Sequence, residues 1–155
     1  MSARPDLAAC WLFRVRDAGR IEILLIRRAE GRLYPGMWQC VTGKIEANER
    51  ILDAALRETH EETGLGRADL EVVFDTDLIN WFHAPDLDTI LCEAVFAARV
   101  RPAAEATLSD EHDAFQWCSP DEARQLVTWR AYVRGIEFVE WLVANPAKES
   151  AFRIG

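Results

Sequence analysis

Glutamates crowd one short stretch of this chain, and any fold it adopts has to make that tolerable. Arg57-Glu58-Thr59-His60-Glu61-Glu62-Thr63-Gly64 lies within GKIEANERILDAALRETHEETGL, from Gly43 to Leu65, and its periodicity predicts a helix. At about 100° per residue, Leu52, Ala55, Leu56, Thr59 and Thr63 fall in one narrow arc, the face to bury. Glu58, Glu61 and Glu62 stand at i, i+3 and i+4 on a neighbouring face, within reach of one another. Like charges so spaced weaken an isolated helix. A raised carboxylate pKa relieves the repulsion, and so does a bound cation. Hard divalent ions take oxygen ligands, and Mg²⁺ combines a few carboxylates with substrate phosphates.

At 155 residues the chain is long enough to bury the core of one domain. Half of it is apolar, which predicts a folded rather than a disordered chain. A formal net charge of −8 argues against nucleic acid and anionic membranes as partners. It also opposes phosphate binding unless metal ions invert the local field. Cys10, Cys40, Cys92 and Cys118 form no CxxC pair, and three lie in apolar, strand-like runs. Buried free thiols in a reducing compartment are expected. The start MSARPDLAAC has no long apolar core, so a cytoplasmic protein is expected.

Residues 7–15 and 21–26 read as strands, with Asp17-Ala18-Gly19 as the turn between them. Arg27 and Arg28 follow at the strand's end. After the Tyr34-Pro35-Gly36 turn comes a short strand, Met37 to Thr42, and Gly43 is expected to let the backbone turn closely. Asn48 suits left-handed geometry and a helix cap, and Gly64 suits the helix end. Leu70 to Phe74 and Leu78 to Phe82 read as two strands or one bent strand, and Thr89 to Val100 as a central strand with Glu93 its lone interior charge. Beyond a polar loop, Ala114 to Cys118 is a further strand. Ser119-Pro120-Asp121-Glu122 is a capping box. Thr128 is expected to cap a last helix, and Trp117 and Trp129 are expected in the core.

The pattern Gly43, Glu49, Arg57-Glu58, Glu61-Glu62, Gly64-Leu65 resembles the signature of the Nudix hydrolase family. Leaving Leu65 aside, seven fixed positions at roughly 7% each, over about 150 starts, put a chance match on the order of 10⁻⁶. A merely solvated amphipathic helix is therefore the weaker reading. Thr59 departs from the family, which has a bulky aliphatic residue there, and Asn48 stands where glycine is usual. The resemblance implies an α/β fold, a Nudix-type α/β/α sandwich with a mixed β-sheet between helices, as one domain over residues 1–155. Trp38-Gln39-Cys40-Val41-Thr42-Gly43 and Glu111-His112-x-x-Phe115-x-Trp117 resemble bacterial dATP and dihydroneopterin triphosphate pyrophosphohydrolases. Where ADP-ribose hydrolases carry proline and dinucleoside polyphosphate hydrolases tyrosine, this chain has Trp81 and matches neither.

The resemblance also implies roles. Glu58 and Glu62 are expected to bind Mg²⁺ (Mn²⁺ as a substitute), with Glu61 completing the site or holding a second ion and the Thr42 carbonyl a further ligand. Glu111 is expected as the downstream active-site carboxylate and metal ligand, with Glu93 its rival. The general base is then Glu58, Glu93 or Glu111. Arg27 or Arg28 is expected on substrate phosphate, and Trp38, Trp81 and Phe82 on a flat ring. Glu49 and Arg57 are expected to brace the loop against the helix, and His112 to be a structural hydrogen-bonding residue. The expected reaction is hydrolysis of a nucleoside or pteridine triphosphate to monophosphate and pyrophosphate. ADP-ribose and dinucleoside polyphosphates are alternative substrates, and a non-hydrolytic nucleotide-binding regulator is the alternative from another class. The expected partner is a small-molecule nucleotide, with no nucleic acid or membrane, for a monomer or homodimer.

Overall fold

The computed structural model describes residues 3–155. Its organising strand is β1 (Leu7–Val15), whose side chains alternate between two buried faces. Ala8, Cys10 and Leu12 point to one face, and Ala9, Trp11 and Phe13 to the other. A strand apolar on both sides belongs inside a sheet covered on both sides. Beside β1 run β2 (Ile21–Arg28), β4 (Val41–Lys44) and β6 (Thr89–Val100); β3 is Trp38–Gln39, β5 Leu70–Ala84, β7 His112–Cys118 and β8 Arg153–Ile154. The sheet order is β3-β2-β1-β6-β5-β8, with β4 on β1 and β7 on β2. β1 and β6 are parallel and the other pairs antiparallel, so the expected mixed sheet is present.

β1 and β2 pair only from Phe13 to Val15 against Ile21 to Ile23, and then diverge. The opening is filled by one segment that changes partner: β3 pairs with β2 at Ile26 and Arg27, and β4 with β1 from Leu7 to Cys10. Helix α1 (Ile51–Thr63) packs on the face of Ala8, Cys10 and Leu12. Helices α2 (Pro120–Leu126) and α3 (Arg130–Ala144) cover the other, giving the α/β/α sandwich. The capping box forms as read: the Glu122 amide donates to Ser119 Oγ, and the Ser119 amide to the Glu122 carboxylate.

β5 is one bent strand, its register broken between Asp75 and Leu78. The bend is held by Thr76, whose hydroxyl donates to the Val95 carbonyl at 2.6 Å. After α3 the chain runs through a 3₁₀ turn (Pro146–Ala151) into β8, on the outer side of β5. Glu149 receives Arg99 and Arg153 there, and the Arg99 guanidinium lies over the rings of Phe13 and Phe74. All four cysteines are free and buried. Among the described residues no helix is long and apolar enough to cross a membrane.

Three local expectations are corrected. Asn48 takes the left-handed conformation (φ 64°), but the residue before the helix is Arg50. No side chain caps α3, which starts after Trp129 and not at Thr128. Lying outside that helix, Trp129 escapes its buried face and meets Tyr34 edge-on at the surface, 5.5 Å between centroids.

α3 approaches β1 closely because Gly135 has no side chain: a Cβ there would fall 2.1 Å from Trp11 Nε1. Gly135→Ala is therefore expected to overpack the core and cost about 1–3 kcal/mol, read as a lower urea midpoint. A variant as stable as the parent would show that the Trp11 indole moves aside freely.

Candidate active site

The three glutamates of α1 differ because of where they sit around the helix. Taking Thr59 as the buried centre, Glu62 lies about 60° away, Glu58 about 100° and Glu61 about 160°. Their environments follow that order: Glu62 is 3% exposed, Glu58 partly buried, and the Glu61 side chain 55% exposed. Thr59 is accommodated within the helix, since its hydroxyl donates to the Ala55 carbonyl at 2.8 Å.

Glu62 is the most perturbed carboxyl of the three. Burial pushes its pKa up to about 9, the nearby Glu58 and Glu111 add to this, and the Thr42 backbone and Arg28 pull it partly back. Its Oε2 is buried without a partner. Glu58 is also shifted upward, chiefly by burial and against the pull of Arg57. Gly43 is in extended β4 and not in a turn as expected. Its function is space, because a Cβ there would fall 2.1 Å from Glu58 Cδ.

Arg57 gathers the acidic groups around α1. Its Nε and Nη2 donate to the two Glu49 oxygens at 2.7 and 3.1 Å, and Nη2 also to the Lys44 carbonyl at 2.9 Å. Nη1 donates to Glu58 at 2.8 Å and Glu61 at 3.2 Å. Glu49 is held down to about 2 by Arg57 first and by the Glu46 amide second. The expected brace is thus present, and it reaches Glu58 as well.

Glu111 arrives from the loop before β7. Glu62, Glu111 and His112 each offer a ligand atom within 4.8 Å of the others'. His112 is buried, its Nε2 lies 3.1 Å from Gln39 Nε2, and burial pushes its pKa down to about 4. This link joins two segments distant in sequence. Ala29 donates its amide to the Glu111 carbonyl at 3.0 Å, and Arg32, unmarked in the sequence, stands 3.9 Å from the Glu111 carboxylate.

The two arginines of β2 diverge. Leu24 and Ile26 face α1, so alternation sends Arg28 to that side with the carboxylates. It is anchored by donating to the Leu33 carbonyl. Arg27 lies on the other face, paired with Asp113 at 2.7 Å and 5.6 Å from the Trp38 ring centre.

Glu93 shares that other face with Val95 and Ala97. It is 5% exposed, with one oxygen accepting from the Thr42 hydroxyl at 2.7 Å and the other from Asn80 at 3.0 Å. Glu58, Glu62 and Glu111 therefore converge, and Glu93 stands apart. Trp81 is well exposed opposite Cys92 on the β5–β6 hairpin, and alternation puts it on the opposite face of the sheet from Trp38. Phe82, half-exposed opposite Leu91, faces the Trp38 side.

The family model described as "NUDIX domain" matches residues 4–142. The chain belongs to the Nudix family. Among known proteins it is 41% identical over 120 residues to an "Octanoyltransferase" from Myxococcus xanthus, a match covering 76% of this chain and spanning only 32% of that relative's length. It is 31% identical over 152 residues to the asymmetrical bis(5'-nucleosyl)-tetraphosphatase of Mus musculus, covering 91% of this chain and 99% of that one. The fold is shared with the C. elegans Ap4A hydrolase, at TM-score 0.78 and 20% identity over 92% of this chain and 99% of that one. It is also shared with the E. coli dihydroneopterin triphosphate pyrophosphohydrolase, at TM-score 0.72 and 24% identity over 86% and 93%.

The chain is a Nudix-family enzyme, and Nudix hydrolases generally use divalent metal ions. The residues fit such an ion. An unpartnered, buried Glu62 oxygen beside Glu58 and Glu111 is a costly arrangement that a cation satisfies.

The raised Glu62 carboxyl carries a sign that can be checked. Folded, it keeps its proton to about pH 9; in the unfolded chain it loses it near 4.5. Between those values the folded state binds the extra proton, so this group lowers stability as pH rises. In chelator, Glu62→Gln should gain stability relative to the parent between about pH 5 and pH 9, measured by urea unfolding. A constant difference across that range would refute the buried, cation-seeking carboxyl.

Proposed function

We propose that this chain hydrolyses a phosphoanhydride of a nucleoside polyphosphate with Mg²⁺ as cofactor and Mn²⁺ as its substitute. The observation that carries the reading is the convergence of Glu58, Glu62 and Glu111 around a buried carboxylate oxygen without a partner. Glu58, Glu62 and Glu111 would hold the ion, with Glu61 at the rim and the Thr42 carbonyl beside them. A divalent ion held there would supply charge neutralisation at phosphate and Lewis-acid activation of water. Arg28, on the same face, meets phosphate oxygens, and Glu58 or Glu111 takes the proton as water oxygen bonds to phosphorus. The bridging oxygen leaves with the bonding electrons.

Two members of this substrate class draw support from different observations. A nucleoside or pteridine triphosphate, split into monophosphate and pyrophosphate, is supported by the Gln39–His112 contact. That contact joins the two segments resembling dATP and dihydroneopterin triphosphate pyrophosphohydrolases into one constellation. A dinucleoside tetraphosphate is supported by the relative matched over 99% of its length, and this broader likeness makes it the first substrate to assay.

Two experiments test this. Glu111→Ala should lower kcat by on the order of 10²-fold with little change in KM. Glu93→Gln should keep kcat within about tenfold and instead lower thermal stability, since its present partners are structural. The reverse ranking, with both variants folded, would move the catalytic role to Glu93. In ¹⁸O-water, label entering the monophosphate reports attack at the α-phosphorus, and label in pyrophosphate attack at the β. Diadenosine tetraphosphate and a panel of deoxynucleoside and pteridine triphosphates should include a substrate with kcat/KM above about 10⁴ M⁻¹s⁻¹ under Mg²⁺, inert in chelator. Inertness of every compound would overturn the substrate class.

A further inference from the structure

The Nudix chemistry leaves one buried group of the site without a task. His112 opens β7 with 4% of its surface exposed. One ring nitrogen, Nε2, is engaged by Gln39 at 3.1 Å, while the other, Nδ1, is buried with no partner. Glu62 Oε2, on α1, is buried and unpartnered in the same way. Each of these two residues, from separate elements, carries an unpartnered buried atom, and Glu62, His112 and Glu111 each offer a ligand atom within 4.8 Å of the others'. No hydrogen bond between His112 and either carboxylate discharges the need.

We propose that His112 is a nitrogen ligand of the metal centre, making it a mixed site of carboxylate oxygens and one imidazole. Gln39 is then the group that orients the ring. An amide presents a donor on one side and an acceptor on the other. Turned so that its Oε1 accepts from Nε2–H, Gln39 fixes the tautomer that leaves the Nδ1 lone pair free for a cation, the arrangement that metal-bound imidazoles commonly use. Imidazole suits Mn²⁺, Co²⁺ and Zn²⁺ better than Mg²⁺, which favours oxygen. The site should therefore prefer such ions over Mg²⁺ by more than three carboxylates alone would.

This inference rests on the reading of Glu58, Glu62 and Glu111 as the metal site, and the test separates the two. The chain has three histidines, and His60 and His83 are both exposed. In the His60→Asn, His83→Asn double variant His112 is the sole imidazole. Pulsed electron paramagnetic resonance of Mn²⁺ on that variant, grown with ¹⁵N-labelled histidine, should show coupling to ¹⁵N. By titration calorimetry without substrate, His112→Gln should weaken Mn²⁺ binding by about tenfold or more and Mg²⁺ binding by much less. If His112→Gln does not fold, the single-histidine spectrum decides alone. Mn²⁺ bound at Glu62 without histidine coupling would overturn the proposal and leave the hydrolase reading standing. Failure of the parent chain to bind Mn²⁺ at all would overturn both.

Discussion

The side chain of Arg57 is the interaction on which the site depends. One guanidinium ties the loop before α1 to the helix through Glu49 and the Lys44 carbonyl, and with its remaining nitrogen it draws in Glu58 and Glu61. Without it these acidic groups would spread apart. The planar fork suits this work because it serves several oxygens at fixed angles. Each neighbouring carboxylate is placed by a different cause: Glu49 by the bidentate pair, Glu58 by Arg57 and by the room above Gly43, and Glu62 by burial.

Formal charge is a poor guide to the field inside such a cluster. The chain carries −8 overall, yet a carboxyl raised to about 9 is protonated at neutral pH, so the cation-free cluster is less negative than its composition suggests. Loading a cation displaces that proton, and cation affinity therefore rises with pH. An acidic surface is thereby compatible with a polyanionic substrate, because the positive charge is brought in with the ion.

Much of this was legible in the residues and some was not. The spacing from Gly43 to Leu65 announced the helix and its glutamates, apolar runs announced β1 and β6, and the Nudix resemblance implied the mixed sheet. The unequal burial of Glu58, Glu61 and Glu62 also lay within helical geometry, since their angles from Thr59 already rank them. Arg28 could be told from Arg27 only once β2 had a known inner face. The Gln39–His112 contact was out of reach, because it joins residues brought together by two different partners of β2. Trp129 was misplaced in the core for a smaller reason: the helix begins one residue later than the periodicity suggested.

The opening between β1 and β2 has a consequence of its own. Most sheets isolate what lies on their two sides, but here Thr42 hydrogen-bonds Glu93 on one side while its backbone acts on Glu62 on the other. The carboxylates, locked by Arg57 and Gly43, occupy the first compartment. Arg27, Trp38 and Phe82 face the second, with fewer obligations to the core. Replacement of side chains in the second compartment leaves the carboxylate cluster and its Arg57 brace in place, so the two sides of the sheet are free to change independently.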